Sequence, residues 1–361
     1  MLLVVASEGA ARTRSAAGYG WQHGHMLSVY LDQAKWIDLG RARLGLAEGA
    51  SFVEALDVAR HALALGLVRF PLSRGHYIET WRVSDPDRRQ RLARTMIELS
   101  EAFTLASPPD LCDNELDAVI SRISGKPLPR PPWPPFGWGF LHAAGEIPDM
   151  PRSQVNLDLE FEHLARRPDG YLAHGGGHRD FADVYRQGEQ GLRDFLAGEE
   201  LKGQPRELRE AIVPVSAVVE IHENIRWALE RAGLPADALD PIGSVRPDLP
   251  DQHVAETLRA VLPLARPFIA ELSTRDAALR LRTLRHQNPE TRWESNDMVD
   301  IAYLACAVVH CDLVVTERQW VHELKRSGLL EEHGTVAIHN VGDLPSALAQ
   351  LLDGGDGRSE S

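Results

Sequence analysis

The sequence predicts an α/β fold in which a mostly parallel central sheet is flanked by helices and interrupted by a large, mostly helical insertion. Short apolar runs alternate with amphipathic helical patterns at both ends of the chain. The long segment between the two ends has helical patterns without convincing strands. Alternation of this kind implies parallel strands joined by crossover helices, with helices on both faces of the sheet.

The first part of the predicted α/β domain spans residues 26–105, after a disordered or irregular lead-in at 1–25. Its opening strand at 26–32 is apolar and ends in an acid, which is typical of a buried strand. The elements that follow are helices at 35–45 and 51–65, a strand at 68–72, a helix opening at 73–81 and a helix at 86–103.

The second part of this domain spans residues 290–352 and follows the helical insertion at 106–289. The insertion contains a connector at 127–140 that is too rich in Pro and Trp to be a regular helix. The α/β pattern then returns as a helix at 297–310, a strand at 312–316, a helix at 317–327, a strand at 335–339 and a helix at 344–352. The composition of residues 353–361 predicts a disordered tail.

The composition of the chain narrows the classes of function. A formal net charge of −13 argues against a protein that coats nucleic acid, although it permits an enzyme that concentrates carboxylates at a metal site. Three cysteines give neither a disulfide framework nor a zinc pattern, so a reducing cytoplasm is expected. No apolar run is long enough to predict a membrane span. His174 and His178 flank three glycines, which favours a flexible loop over a zinc site.

Two acids of the first part, Asp32 and Glu79, stand where a parallel α/β sheet binds its ligands. Asp32 ends the first predicted strand, and Glu79 lies shortly after the second. Ligands bind beyond the carboxyl ends of such strands, and a charge there is costly unless it is solvated, paired or bound to metal. The alternatives are that Asp32 only caps the next helix and that Glu79 is a solvated surface residue.

The helix predicted at 297–310 begins with two further acids. Asp297 and Asp300 are three residues apart, so they share one face of its first turn, where the helix dipole favours negative charge. Asp312 begins the next predicted strand, and Thr316 and Glu317 stand at its end. The alternative, an acid-capped helix and an ordinary strand, explains Asp312 poorly.

This ordered set of acids resembles the PIN-domain superfamily of metal-dependent ribonucleases. The resemblance rests on the strand end at 29–32, the Ala-rich helix that Asp300 opens and the segment at 311–317, and it covers residues 26–105 and 290–350. It implies catalytic roles for Asp32, Glu79, Asp300 and Asp312, and metal ligation by Asp32, Glu79, Asp297, Asp300, Asp312 and Glu317. Asp312 and Glu317 compete as the fourth acid, because Arg318 stands where many relatives have an aspartate.

The resemblance implies an endonuclease that hydrolyses RNA phosphodiester bonds with one or two Mg²⁺ or Mn²⁺ ions, such as a toxin or a defence effector. Hard cations choose carboxylate and water oxygens, and they neutralise acids that otherwise repel one another. One alternative is a catalytically inactive PIN-like protein that serves binding or assembly. A DNA nuclease or a phosphatase on a similar fold is the other.

Basic residues near the acidic segments suit a single-stranded phosphate backbone, which the resemblance implies is RNA. Arg82 and Arg88 flank Glu79, and Arg292 precedes the helix at 297–310. Thr316 could bind a phosphate or a water, or it could simply be a β-branched strand end. Solvated helix faces are the alternative for most of the arginines. A cognate inhibitor, another partner protein and a homo-oligomer are further expectations.

Overall fold

The computed structural model describes residues 26–168, 186–194, 196–197, 212–217, 220–235, 267–288, 292–294 and 296–355. Within these ranges the chain is an α/β protein with a four-stranded parallel sheet flanked by helices, which confirms the predicted fold class at that level. The lead-in at 1–25, the pair His174 and His178 and most of the tail lie outside the described residues. No helix in the described ranges is both long and apolar enough to cross a membrane.

Strands from the two ends of the chain meet in the centre of the sheet. The strands are β1 (Leu27–Leu31), β2 (Val68–Arg69), β3 (Phe103–Leu105), β4 (Phe136–Trp138), β5 (Leu313–Val315) and β6 (Val336–Ile338). The sheet has the order β2-β1-β5-β6, and all three pairings are parallel. Val29 of β1 lies opposite Leu313 of β5, and Leu31 lies opposite Val315.

Thirteen α-helices lie wholly within the described residues, and side chains cap several of them. They are α1 (Gln33–Arg43), α2 (Val53–Ala64), α3 (Arg74–Arg82), α4 (Pro86–Ser100), α5 (Pro108–Ser124), α6 (Gly139–Ala143), α7 (Leu157–Ala165), α8 (His222–Arg231), α9 (Ser273–Gln287), α10 (Asp297–His310), α11 (Arg318–Arg326), α12 (Leu329–His333) and α13 (Leu344–Gly355). Short 3₁₀ helices lie at Ala47–Phe52, Arg152–Gln154 and Val341–Asp343. Asp32, Asp85 and Ser107 cap α1, α4 and α5 through their side chains.

The two faces of the sheet pack against different helices, because successive side chains of a strand point to opposite faces. Val29 and Leu31 are buried in a core that also contains residues of α1, α2, α4 and α13. Tyr30 and Val314 are buried in a second core with residues of α10 and α11. Helices therefore cover both faces, and α10 and α1 lie on opposite sides of β1.

Two short strands, β3 and β4, differ from the expectation. The helix predicted at 86–103 ends at Ser100, because Glu101 and Ala102 adopt left-handed conformations with φ of 49° and 59°. The chain then forms β3, which pairs antiparallel with β4 from the Pro- and Trp-rich connector. β3 also forms a parallel bridge through Thr104 to the segment that follows β2.

Part of the predicted insertion builds a core of its own. α5 packs against α8, and the buried residues there include Leu116, Ile120, Ile225 and Leu229. α9, which also belongs to the predicted insertion, packs along α10. The insertion therefore contacts the helix that begins with two of the candidate acids.

Candidate active site

Three carboxylates that are far apart in the sequence line one cleft at the carboxyl end of β1. Asp32 directly follows β1, Glu79 lies in α3, and Asp300 lies in the first turn of α10. The residues that line the cleft are Tyr30, Asp32, Ser73, Gly75, His76, Glu79, Asp300, Tyr303 and Leu304. The structure thus brings these three predicted residues together.

Two hydrogen bonds hold the Asp32 carboxylate. The Thr316 hydroxyl donates to Asp32 Oδ2 at 2.9 Å, and the Gln33 backbone N–H donates to Oδ1 at 2.7 Å. The bond from Gln33 caps α1, so Asp32 is both a helix cap and a member of the acid cluster. Burial raises the pKa of Asp32, although both hydrogen bonds favour its charged form.

Glu79 and Asp300 hold their protons more tightly than ordinary carboxyl groups do. Burial, and after it the charge of Asp32, raises the pKa of Glu79 to about 7, while Arg82 opposes the shift. Burial is also the main cause that raises the pKa of Asp300 to about 8, followed by the charges of Asp32 and Glu79. Like charges that are buried together repel, so this cleft favours the binding of protons or of a cation.

Aromatic residues form the wall of the cleft. Tyr30 stacks on His76 with ring centroids 5.2 Å apart. His76 Nδ1 accepts a hydrogen bond from the Ser73 backbone N–H at 2.9 Å, and burial lowers the pKa of His76 to about 3. His76 is therefore neutral near pH 7 and adds no positive charge beside the acids. Tyr303 lies against Gly75, where an added Cβ atom would come within 2.8 Å of the ring, so this contact requires glycine.

Asp312 lies at the opposite end of the sheet, which corrects its predicted place among the catalytic residues and metal ligands. Asp312 Oδ2 accepts a hydrogen bond from the Ser28 backbone N–H at 2.9 Å, and the Asp312 N–H donates to the Ser28 carbonyl. Ser28 lies near the start of β1, whereas Asp32 follows its end. Four residues of strand span about 13 Å, which is too far for two side chains to share one metal ion. Asp312 instead satisfies the backbone where β5 begins.

Asp297, which is predicted as a metal ligand, is buried and paired, and it is not among the residues that line the cleft. Arg285 Nη2 donates to Asp297 Oδ2, and the Glu294 backbone N–H donates to the same oxygen at 2.6 Å. Burial raises the pKa of Asp297, while the Glu294 backbone N–H and Arg285 favour its charged form and the charge of Glu294 opposes it. Asp297 thus has a cation and a backbone N–H as partners, whereas the charges that act on Asp300 are acidic.

Glu317 lies on the side of the cleft and remains a candidate for the fourth acid. It occupies the exposed N-cap position of α11, directly after Thr316. Its charge contributes to the raised pKa of Asp300. Gln319 Nε2 donates to Glu317 Oε2 at 3.1 Å, which leaves the other carboxylate oxygen of Glu317 available.

Arg82 is the predicted substrate contact that lies beside the acids. Its charge lowers the pKa of Glu79, and its Nη1 donates to Asn296 Oδ1 at 2.9 Å, at the start of α10. Arg88 and Arg292 are exposed. Other arginines near the acidic segments make contacts within the fold, namely Arg89, Arg94, Arg280, Arg282 and Arg285. Structural contacts therefore account for much of the predicted basic surface.

The oxygen donors of the cleft suit a hard divalent cation, but they do not surround one ion closely. Among the residues that the structure describes, no three His, Cys, Asp or Glu side chains are grouped to hold one metal ion. Mg²⁺ usually keeps several waters and takes only one or two carboxylates from a protein. Asp32 and Asp300 are the two carboxylates that could bind such a partly hydrated ion.

Comparison of the chain with protein-family models, with curated proteins and with solved structures finds no match. The resemblance to the PIN-domain superfamily therefore rests on the ordered acids of this chain.

Proposed function

We propose that this chain is a PIN-like, metal-dependent nuclease that hydrolyses RNA phosphodiester bonds with Mg²⁺ or Mn²⁺. The observation that carries the proposal is the convergence of Asp32, Glu79 and Asp300 in one cleft. Burial and repulsion between the acids raise the pKa of Glu79 and of Asp300. A divalent cation would offset both the burial of these charges and their repulsion. A cluster of buried acids weakens the folded state, so a binding role explains it better than a structural role does.

The proposed reaction assigns one task to each residue of the cleft. Asp32 and Asp300 would hold the cation, and Glu79 would reach it directly or through a water. A bound Mg²⁺ or Mn²⁺ supplies an activated water and balances the charge that develops on the phosphate during in-line displacement. Thr316 keeps the Asp32 carboxylate in one orientation. Glu79, with a pKa of about 7, can hold or release a proton at its carboxyl oxygens near neutral pH.

The rim of the cleft supports single-stranded RNA as the substrate. Arg82 beside Glu79, with the exposed Arg88 and Arg292, offers cations to a phosphate backbone. The net charge of −13 disfavours general binding of nucleic acid, so contact would be local to this rim. A toxin with a cognate inhibitor, another partner protein and a homo-oligomer remain predictions.

The test is cleavage of a labelled single-stranded RNA by the full chain, before and after Mn²⁺ is added to EDTA-treated protein. Asp32→Asn and Asp300→Asn are the site variants, and Asp57→Asn, which changes an exposed carboxylate of α2, is the matched control. We expect metal-dependent cleavage that falls by about a hundred-fold or more in both site variants and persists in the control. Wild-type rates in both site variants would refute the proposal. DNA and phosphomonoester substrates in the same assay test the alternative of a DNA nuclease or phosphatase.

A non-catalytic binding or assembly protein is the second candidate. It is favoured by Arg318, which stands where many PIN relatives carry an aspartate, and by the open grouping of the described acids. Calorimetric titration with Mn²⁺ separates the two candidates. Binding that Asp300→Asn weakens supports the nuclease, whereas no binding at millimolar Mn²⁺ supports the non-catalytic protein.

A further inference from the structure

Arg285 of α9 is a buried cation that lies behind the proposed metal site. Its guanidinium lies between two indole rings, 5.3 Å from the centroid of Trp293 and 5.3 Å from that of Trp320. Its Nη2 donates to Asp297 Oδ2 and, at 3.2 Å, to the Arg292 carbonyl. α9 thus reaches across to the turn from which the Asp300 helix starts.

The carboxylate of Asp297 closes that turn. Asp297 Oδ2 accepts the Glu294 N–H at 2.6 Å, and the Asp297 N–H donates to the Glu294 carbonyl at 3.2 Å. The next turn begins with the hydrogen bond from the Asp300 N–H to the Asn296 carbonyl at 2.9 Å. The position of Asp300 therefore depends on a turn that Arg285 holds through Asp297.

The charge of Arg285 also matters to the acids of the cleft. Asp297 lies one helical turn before Asp300, so its charge is close to the Asp300 carboxylate. The ion pair between Arg285 and Asp297 therefore weakens the repulsion between the Asp297 and Asp300 carboxylates.

Hydrogen bonds satisfy the Arg285 guanidinium only in part. Within the described part of the chain, Arg285 Nε and Nη1 are buried and have no hydrogen-bond partner. Unpaired buried donors cost free energy, and apolar residues often replace a buried ion pair without loss of stability. Placement of the turn before Asp300 gives Arg285 a role in addition to its contacts with the two indole rings.

We propose that Arg285 is a positioning residue of the metal site, which acts through Asp297 to fix the first turn of α10 and so to place the Asp300 carboxylate. The proposal rests on the proposed function, because it assigns the purpose of this positioning to metal binding. A cation cannot itself ligate a metal ion, so any effect of Arg285 on metal affinity must be indirect.

Arg282 provides a matched control on the same helix. It is also a buried arginine with acidic partners, since its Nε donates to Glu189 at 2.9 Å and its Nη1 to Glu220 at 2.7 Å. Those partners belong to the predicted insertion rather than to the cleft. Arg282→Met and Arg285→Met each break a buried ion pair, but only Arg285→Met disturbs the turn before Asp300.

The experiment compares Arg285→Met and Arg282→Met in the full chain, at a temperature where circular dichroism shows both to be folded. Mn²⁺ affinity is measured by calorimetry, and hydrogen–deuterium exchange is followed in peptides that cover 294–303. We expect Arg285→Met to weaken Mn²⁺ binding by about ten-fold or more and to speed exchange in these peptides, as loss of outer-shell support does. Arg282→Met should change neither quantity.

Equal effects of the two substitutions on both quantities, or wild-type affinity in Arg285→Met, would overturn the inference. If Arg285→Met does not fold, Arg285→Lys and Arg282→Lys replace the pair, and only Arg285→Lys should weaken Mn²⁺ binding. If the wild type binds no Mn²⁺, the proposed function fails, and the exchange measurement alone then decides whether Arg285 holds the turn. Unchanged exchange in Arg285→Met would refute that role.

Discussion

Asp32 and Asp312 stand at opposite ends of two neighbouring strands, and their carboxylates have different surroundings. Asp32 follows β1, shares a cleft with Glu79 and Asp300, and has a pKa that burial raises. Asp312 precedes β5, and its carboxylate accepts a backbone N–H of the adjacent strand at 2.9 Å. The carboxyl edge of this sheet concentrates buried acids whose charges Arg82 and Lys35 offset only in part, whereas the acid at the amino edge accepts a backbone N–H of the adjacent strand.

We expect the largest difference in RNA cleavage between the variants in which Asp32 or Asp312 is replaced with alanine. Asp32→Ala should lower Mn²⁺-dependent cleavage by about a hundred-fold or more, because the proposed metal site would lose one of its ligands. Asp312→Ala should keep the cleavage rate per folded molecule but lower the free energy of unfolding by about 1–3 kcal/mol, because the Ser28 N–H loses its acceptor. RNA cleavage and urea denaturation check both. A loss of cleavage in Asp312→Ala at full stability would contradict the placement of Asp312 outside the proposed site.

A second pair of residues sharpens the same contrast. Thr316 at the carboxyl end of β5 donates to Asp32 Oδ2, whereas Thr335, just before β6, donates to the Val308 and Cys311 carbonyls. Thr316→Val should lower Mn²⁺ affinity by about ten-fold, since Asp32 loses the bond that orients it. Thr335→Val should lower stability by about 1 kcal/mol without changing Mn²⁺ affinity. Calorimetry and urea denaturation measure the two effects, and equal Mn²⁺ affinities in the two variants would count against a special role for Thr316.

The stability of the metal-free protein should fall as the pH rises. The pKa values of Glu79 and Asp300, about 7 and about 8, lie above their ordinary values in the folded chain. The folded state therefore binds these protons more tightly than the unfolded state does, and stability is lost as pH rises through this window. Between about pH 5 and pH 8 the loss should be on the order of 1 kcal/mol or more, and Asp300→Asn should remove most of it. Urea denaturation in EDTA at several pH values measures this loss of stability. An unchanged pH dependence in Asp300→Asn would show that Asp300 is not its cause.

The smallest effect is expected at Glu317. This carboxylate is exposed, and it acts on Asp300 only through its charge. Exposed charge interactions are worth up to about 1 kcal/mol, so Glu317→Gln should change Mn²⁺ affinity by less than about five-fold. A loss as large as that of Asp32→Asn in the same calorimetric titration would instead show that Glu317 is a direct ligand.

Local patterns were sufficient to predict much of the fold and part of the site. The predicted helix at 297–310 has the bounds that the structure shows, because its acidic start and apolar periodicity are local signals. Asp32 and Asp300 were predictable because a strand end and a helix start are visible in the sequence. The prediction for Asp312 is wrong, since a residue that precedes a parallel strand lies at the amino edge of the sheet, away from Asp32.

The remaining features depend on packing that no local pattern encodes. The pairing of Arg285 with Asp297 arises from the way α9 lies along α10. The contact of Tyr303 with Gly75 joins two helices that are distant in the sequence. Likewise, β3 and β4 are too short to show a period of alternation, and each is stabilised as a strand by pairing with the other.

The most direct test of the central claim is the anomalous diffraction of Mn²⁺ in crystals of the full chain at saturating metal. We expect a Mn²⁺ peak in the cleft, with oxygens of Asp32 and Asp300 among its ligands and Asp312 at the other edge of the sheet. No peak between Asp32 and Asp300, or Mn²⁺ bound only elsewhere, would contradict the claim that these carboxylates form one divalent-metal site.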